Sequence, residues 1–175
     1  MQRIISKLER TARADAEEYR NGEERPLSGY VAAMMMFTLL VAVAGSVAAL
    51  TGRSLPRRIG AYDLLLITAG THKLSRTLSK TAATSPLRAP FTQYQGTAGP
   101  AELKEEVRQP SGLRHAIGEL LTCPFCLDMW VVTAHMIGLI FVPRFTRIAA
   151  ATFTALAGAD FLHLAYTRAT QATEN

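Results

Sequence analysis

The chain has 175 residues and a formal net charge of +5, and 49% of its residues are hydrophobic. Its mean hydropathy of +0.12 is low for a protein built only of membrane spans, so a substantial polar portion lies outside any bilayer. The length excludes a bundle of membrane helices combined with an independent catalytic domain. Lys and Arg beside membrane spans account for the basic balance, and the lack of a basic-aromatic motif argues against nucleic-acid binding.

Residues 1–28 are predicted to form an amphipathic arm on the cytoplasmic side of the membrane. The apolar residues of the arm recur at three- and four-residue steps: Ile5, Leu8, Ala12, Ala16 and Tyr19. Such a helix can lie on the membrane surface, or it can dock on a partner or on the protein's own loop. Asn21-Gly22 is expected to end the helix, and Pro26 separates it from the first span.

The segment 29–51 is predicted to be the first transmembrane span. Between Arg25 and Arg53 the only ionisable side chain is the phenol of Tyr30, and the apolar run has the roughly 20 residues that a bilayer-spanning helix needs. A small-x-small triplet at 46–48 resembles a signal-peptide cleavage site. However, the run exceeds the roughly 7–15 apolar residues of a signal peptide, so we expect an uncleaved span.

The segment 60–167 is predicted to be a membrane domain with a cytoplasmic loop at 80–122. Residues 61–79 are apolar in their first half and polar in their second, which indicates a short or partly interfacial second span. The apolar stretches 126–142 and 145–166 are predicted to be the third and fourth spans, joined as a tight helical hairpin.

Within the cytoplasmic loop, residues 84–100 are rich in Pro, Gly and Thr and are predicted to be irregular. A short helix is expected over 101–109. A second short helix is expected over 111–121, with Ser111 as its N-cap, and Pro124 must end or kink it. The last five residues of the chain are expected to be frayed.

The distribution of Lys and Arg predicts that both termini are cytoplasmic. With four spans, twelve basic residues fall on the cytoplasmic side and five on the other side. The five outer residues lie in the two short connections or at the outer start of the fourth span: Arg53, Arg57, Arg58, Arg144 and Arg147. The bias is weaker if residues 61–79 do not span, so the favoured interpretation is a multi-pass cell-membrane protein with four spans.

Under that topology, polar side chains from three spans meet at one depth in the cytoplasmic leaflet. The predicted intramembrane polar cluster consists of two basic residues, two aspartates and a histidine: Lys73, Arg76, Asp128, Asp160 and His163. Charged groups in lipid are costly unless paired, so we expect Asp160 or Asp128 to bind Lys73 or Arg76. Alternatively, the basic pair reaches the membrane surface and the acids lie among the headgroups.

Small residues at four-residue spacing predict close helix packing. Gly45 and Ala49 form such a pair in the first span, and Ala151, Ala155 and Ala159 form a stripe on the fourth. We expect most of these contacts to be intramolecular.

The loop contains a proline-bounded segment, SPLRAPF, at 85–91. Each Pro fixes its own φ and restrains the residue before it, so Pro86 and Pro90 predict a rigid, extended stretch. Such a stretch presents Arg88, with Phe91 close by, to a carboxylate of a partner or to a lipid phosphate. Docking of the segment against the protein's own loop is the alternative.

Cys123 and Cys126, in the motif CPFC, are the candidate residues for thiol or metal chemistry. A redox dithiol needs a helix N-terminus, which the third span supplies, but no strand precedes the motif and cytoplasmic thiols are kept reduced. As zinc ligands the two cysteines fill only half of a tetrahedral site, so His115 or the cysteines of a second copy would complete it. The remaining interpretation is a buried turn that begins the span.

Two sequence blocks carry a family resemblance. They read THKLSRTLSKTAATSPLRAPF and GLRHAIGELLTCPFCLDMWV, in that order. They resemble a family of small bacterial membrane proteins catalogued as domain of unknown function thirteen-sixty, which includes a sporulation-associated membrane protein. The resemblance covers about residues 60–165 and implies an integral membrane protein without an assigned activity. It implies no essential chemistry for Asp128 or His72, because members commonly carry a Gly and a bulky residue there.

Together these patterns predict an all-α fold of about four transmembrane helices, the second short or interfacial, plus the amphipathic N-terminal helix. No Gly-rich phosphate loop, Ser-His-Asp arrangement or HExxH motif occurs, so we assign no catalytic residue and no cofactor. The leading functional hypothesis is a non-enzymatic membrane protein that binds a cytoplasmic partner or a second copy of itself through its loop. The alternatives are a membrane thiol or zinc protein that uses CPFC, and a small oligomeric transporter or channel that uses the polar cluster.

Overall fold

The structure, a computed structural model, describes residues 1–23, 25–108 and 112–173. The helices in these ranges are α1 (Gln2–Arg20), α2 (Leu27–Leu50), α3 (Ala61–Lys80), α4 (Ser85–Arg88), α5 (Gly112–Thr122), α6 (Pro124–Phe141) and α7 (Pro143–Thr173). The strands are β1 (Thr92–Gly99) and β2 (Glu102–Val107), and a 3₁₀ turn over Ala82–Thr84 precedes α4.

α1 is an exposed amphipathic helix with no buried residue. Asn21 follows it with a φ of 45°, and Gly22 has a φ of 82°. The left-handed backbone at these two residues ends the helix, as the sequence predicted. Ile4 and Leu8 are exposed, so the described part of the chain leaves the apolar stripe of α1 uncovered.

Helices α3, α6 and α7 pack side by side with alternating directions. Near the starts of α3 and α7, Asp63 accepts two hydrogen bonds from Arg147, each at 2.8 Å. Farther along the same two helices, Lys73 binds Asp160. α3 and α7 are therefore parallel. α6 and α7 form a helical hairpin around Val142, so α6 runs opposite to both.

α2 packs against α5 and α6 and runs in the direction of α6. Tyr30, early in α2, donates a hydrogen bond to Glu119 just before α6. Phe37, two turns later, meets Trp130 of α6 edge to face, with ring centroids 5.3 Å apart. The starts of α2 and α6 therefore lie at the same end of the bundle as the end of α3. We call this the hairpin end, after the β-hairpin of β1 and β2 that lies there and not after the helical hairpin of α6 and α7.

Three helices are long and apolar enough to cross a membrane: α2, α6 and α7. α2 buries only Gly29 and Ala48, and most of its large apolar side chains are exposed. α3 is less apolar because it buries hydroxyl groups in the bundle, at Thr71, Ser75 and Ser79. Its start, in contrast, exposes apolar side chains such as Leu65.

Close packing of α3 on α7 depends on Gly70. A β-carbon at Gly70 would lie 2.8 Å from the carbonyl oxygen of Ala150, which is fully buried. The buried residues of α7 are Thr146, Ala150 and Ala157, and none of them belongs to the predicted stripe of alanines at 151, 155 and 159. Gly45 of α2 has no atom within 4 Å of its would-be β-carbon, so the predicted small-residue pair there makes no close helix contact within the described chain.

Residues 92–107 form an antiparallel β-hairpin, so the fold is helical with a small sheet rather than all-α. The predictions of an irregular loop continuing to residue 100 and of a short helix over 101–109 are therefore wrong where the hairpin lies. Thr92 pairs with Val107, and Gly99 pairs with Glu102 around a turn in which Ala101 has a φ of 61°.

The strand at 102–107 forms although its Glu and Lys residues favour a helix, because pairing with β1 and burial on one face outweigh local propensity. Leu103, Glu105 and Val107 are partly covered, whereas Lys104 and Glu106 between them are exposed. This alternation has the period of a half-buried strand.

α5 occupies the position predicted for the second short helix, and Pro124 begins α6 directly after it. The predicted N-cap Ser111 lies outside the described residues. Gln171–Thr173, predicted to be frayed, are the last turn of α7, and the final two residues of the chain lie outside the described part.

Candidate functional site

Arg88 is fully buried and is bound on all sides. Its guanidinium forms a bidentate salt bridge with the carboxylate of Glu105 on β2, with N–O distances of 2.5 and 3.1 Å. It also donates to the carbonyl oxygens of Leu78 and Thr81 and to the hydroxyl of Thr84, at 2.6 to 3.1 Å. The side chain thus joins the end of α3 to the hairpin with geometry that Arg alone supplies.

This arrangement corrects the prediction that SPLRAPF is an extended segment presenting Arg88 to a partner or lipid. Residues Ser85–Arg88 form the short helix α4, with Pro86 in its first turn, where a missing N–H costs nothing. Arg88 is turned inward, so docking against the protein's own loop is what occurs. Pro86 and Pro90 remain exposed and Phe91 is partly covered, so only these three of the four predicted contact residues reach the surface.

A second Arg–Glu pair holds the other end of β2. Arg76 of α3 donates to Glu102 at 2.5 and 3.0 Å. Thr81 also bridges to Glu102 as an isolated strand partner. With the buried Arg88 pair, these contacts fix β2 to α3 at two points. We call β1, β2, α4 and α5 together the platform.

The predicted polar cluster divides into separate contacts. Lys73 binds Asp160, whereas Arg76 turns to the hairpin instead of an aspartate. His163, with His72, lines a cavity of about 690 Å³ between α3, α7 and the hairpin turn. Asp128 of α6 does not join them: its Oδ1 is buried and has no hydrogen-bond partner in the described chain.

Cys123 is the N-cap of α6. Its Sγ accepts a hydrogen bond from the backbone N–H of Cys126 at 3.3 Å, and the Cys126 thiol donates to it at 2.7 Å. Both thiols are free, Cys123 partly covered and Cys126 exposed. Pro124, the first residue of α6, keeps Cys123 in the extended conformation that separates α5 from α6.

No group of three or more His, Cys, Asp or Glu side chains that could hold a metal occurs among the described residues. His115, considered as a further ligand to the cysteines, contacts Glu119 at 3.2 Å. One chain therefore brings two sulfur ligands to this place, and a zinc site of the predicted shared type would need a second copy.

The two thiols line a groove of about 930 Å³ between α2, α5 and α6. Its walls are apolar side chains from α2 and α6: Ala33, Met34, Phe37, Phe125, Met129 and Trp130. Its polar rim is Tyr30, Glu119 and Arg25, whose guanidinium lies 3.6 Å from the Glu119 carboxylate. The Tyr30 hydrogen bond and the Glu119 charge raise the pKa of Arg25.

Sequence reasoning missed the acidic partners at the hairpin end. Glu102 and Glu105 lie in a strand that was predicted to be a helix, so their inward positions could not be recognised. Glu119 lies on the predicted second short helix, and its partner Tyr30 is 89 positions earlier. The two apolar residues nearby, Leu103 and Val107, are four positions apart, which is a helical spacing and gives no signal for a strand.

A protein-family model described as "Protein of unknown function (DUF1360)" matches residues 65–166. The match covers more than half of the chain, from α3 to α7, and it confirms the family resemblance of the two sequence blocks. No curated protein and no solved structure matches the chain.

Proposed function

The chain belongs to DUF1360, a family of proteins of unknown function, and we propose from its geometry that it is a four-span membrane protein that binds a partner protein through its platform. The observation that carries the proposal is the platform itself, a preformed polar unit fixed to the end of an apolar bundle by the buried Arg88–Glu105 pair.

The four-span part rests on the packing of α3. This helix lies beside α6 and α7 over the stretch from the Asp63–Arg147 contact to the Lys73–Asp160 contact. Its 20 residues reach about 30 Å, the thickness of a bilayer core. Buried hydroxyls satisfied by neighbours are compatible with a span, as where Ser75 donates to the carbonyl oxygen of Thr71 at 2.8 Å.

The orientation follows from charge. Alternating helix directions put the arm, the platform and the end of α7 on one side of the bundle, and the two short connections on the other. The larger number of Lys and Arg lies on the platform side, so we assign that side to the cytoplasm.

The free edge of β1 is the part of the platform suited to a partner. Within the described ranges of the chain the sheet has two strands, so β1 pairs on one side there and its outer edge carries main-chain groups that a further strand can use. Tyr94 and Thr97 of this strand are exposed. An extended segment of a partner protein would add as a third strand, with main-chain hydrogen bonds providing affinity.

Site-specific photocrosslinking in the native membrane tests this function. A photoreactive residue at Tyr94 or Thr97 is expected to give a discrete crosslinked protein. Leu55, which is as exposed but lies in the connection at the opposite end, is the matched control and should give none. Release of the hairpin by Arg88→Met should abolish the product. Equal products from Leu55, or none from β1 in a folded chain, would exclude the platform as the binding surface.

A further inference from the structure

We propose that Cys123 and Cys126 form a reversible dithiol–disulfide centre whose oxidant is a membrane-soluble quinone bound in the groove between α2, α5 and α6. This inference goes beyond partner binding: it rests on the two cysteines and the groove beside them, and of the platform it involves only α5.

The thiols already have the geometry that dithiol chemistry requires. The two sulfurs are in hydrogen-bond contact at 2.7 Å within the first turn of a helix. Cys123 Sγ accepts the Cys126 N–H at 3.3 Å, which places this sulfur at the N-terminus of α6. Pro124 keeps the backbone of Cys123 extended at the start of α6, so the two sulfurs are held together at the same turn.

The groove selects the class of oxidant. Phe37 and Trp130 form one wall as an edge-to-face pair, and Met34 and Met129 provide adaptable apolar surface around them. Phe125, Met34 and Met129 are also exposed on the outer surface of the apolar helices, so the groove opens towards the bilayer. A planar ring with an apolar tail fits such walls and can enter from the lipid.

The chemistry at the groove separates a quinone from other amphiphiles. A phospholipid would fill the apolar groove but cannot oxidise a dithiol. A water-soluble oxidant would gain no binding energy from the apolar walls. At the rim, the Tyr30 hydroxyl can donate a hydrogen bond to a ring oxygen of the quinone, and the Glu119 carboxylate can accept one from a hydroxyl of the hydroquinone.

The reaction balances without another reactant. Two S–H bonds break and one S–S bond forms, and the two electrons and two protons convert the quinone to its hydroquinone. A dithiol reductant reverses the step by thiol–disulfide exchange. In a reducing compartment the disulfide is transient, so its population would follow the supply of oxidised quinone.

The test uses the purified full-length protein in detergent and decylubiquinone, whose fully substituted ring prevents addition of a thiol. Trp130 is the only tryptophan of the chain and lines the groove, so its fluorescence reports binding. We expect saturable quenching, loss of both thiols and formation of one hydroquinone per chain. The double variant Cys123→Ser, Cys126→Ser should keep the quenching and lose the hydroquinone.

Ala33→Phe, which fills the groove, should abolish both signals, while a water-soluble thiol oxidant still closes the disulfide in this variant. Val43→Phe, on an exposed position of the same helix, is the control and should behave like the wild type. Equal thiol loss in Ala33→Phe would overturn the groove as the site. Absence of saturable quenching in folded protein, or quenching by a spin-labelled phospholipid that decylubiquinone does not displace, would also overturn the proposal.

Discussion

Arg88 shows how a single side chain determines the position of the hairpin. The pair that it forms with Glu105 is buried, at 0% and 6% side-chain exposure, and every other contact of the guanidinium is to a backbone carbonyl or a hydroxyl. Removing one member leaves the other charge in a place that water does not reach. Such a loss typically costs about 3–5 kcal/mol, more than the pair contributes over an apolar replacement.

We therefore predict that Arg88→Met releases the hairpin, and that adding Glu105→Leu restores most of the loss. Amide hydrogen exchange of β1 and β2 in detergent measures both effects. The Lys73–Asp160 pair, whose aspartate is 55% exposed, serves as the exposed ion pair with which the buried one is compared. Its coupling in a double-mutant cycle should be about 0.6 kcal/mol or less. Equal losses from Arg88→Met and Asp160→Asn would contradict the central role of Arg88.

Among the elements, the long helices were predictable because extended apolar periodicity is a strong signal. The β-hairpin was not predictable. The Pro and Gly content of 84–100 predicts an irregular loop, whereas Gly99 pairs with Glu102 and begins the turn that returns the chain along β1. The strand pairing that makes 102–107 a strand depends on contacts with Phe91, Thr81 and α3, and no local pattern contains them. The inward direction of Arg88 is missed for the same reason.

The contact between α3 and α7 leads to a second prediction. Gly70→Ala puts a β-carbon 2.8 Å from a backbone oxygen, so the two helices must separate, at a cost of about 1–3 kcal/mol. Gly45→Ala makes the same chemical change where nothing lies within 4 Å, and it should leave stability unchanged or slightly higher. Thermal unfolding followed by circular dichroism compares them; similar midpoints for both variants would refute this packing.

The break between α5 and α6 leads to a third prediction. Without the proline constraint, Pro124→Leu allows the two helices to merge, which would redirect α5 and separate Glu119 from Tyr30. Hydrogen exchange in α5 should rise in this variant. Cys123→Ser with Cys126→Ser should stay folded, because the extended backbone and not the sulfur makes the break. Unfolding of the serine variant, with roughly half a zinc per wild-type chain, would instead establish a shared Cys₄ site.

At the scale of the whole molecule, the amphipathic arm and the three most apolar helices follow directly from composition and periodicity. Composition assigns α3 least clearly, because its buried face carries hydroxyls and it also bears Lys73, which binds Asp160. Its place is determined by neighbours: Gly70 allows α7 to approach, and Thr71 lies 3.4 Å from His135 of α6. A helix of this kind is recognised as part of the bundle only when its packing partners are known.

If α3 crosses the membrane, as the four-span proposal requires, the connection at Ser54 and the hairpin at Thr97 lie on opposite sides. Single cysteines at these exposed positions, in the Cys123→Ser, Cys126→Ser background, can be labelled in intact cells with a membrane-impermeant maleimide. We predict labelling of Ser54→Cys in intact cells, and of Thr97→Cys only after the membrane is opened. Labelling of both positions from the same side would contradict the four-span arrangement.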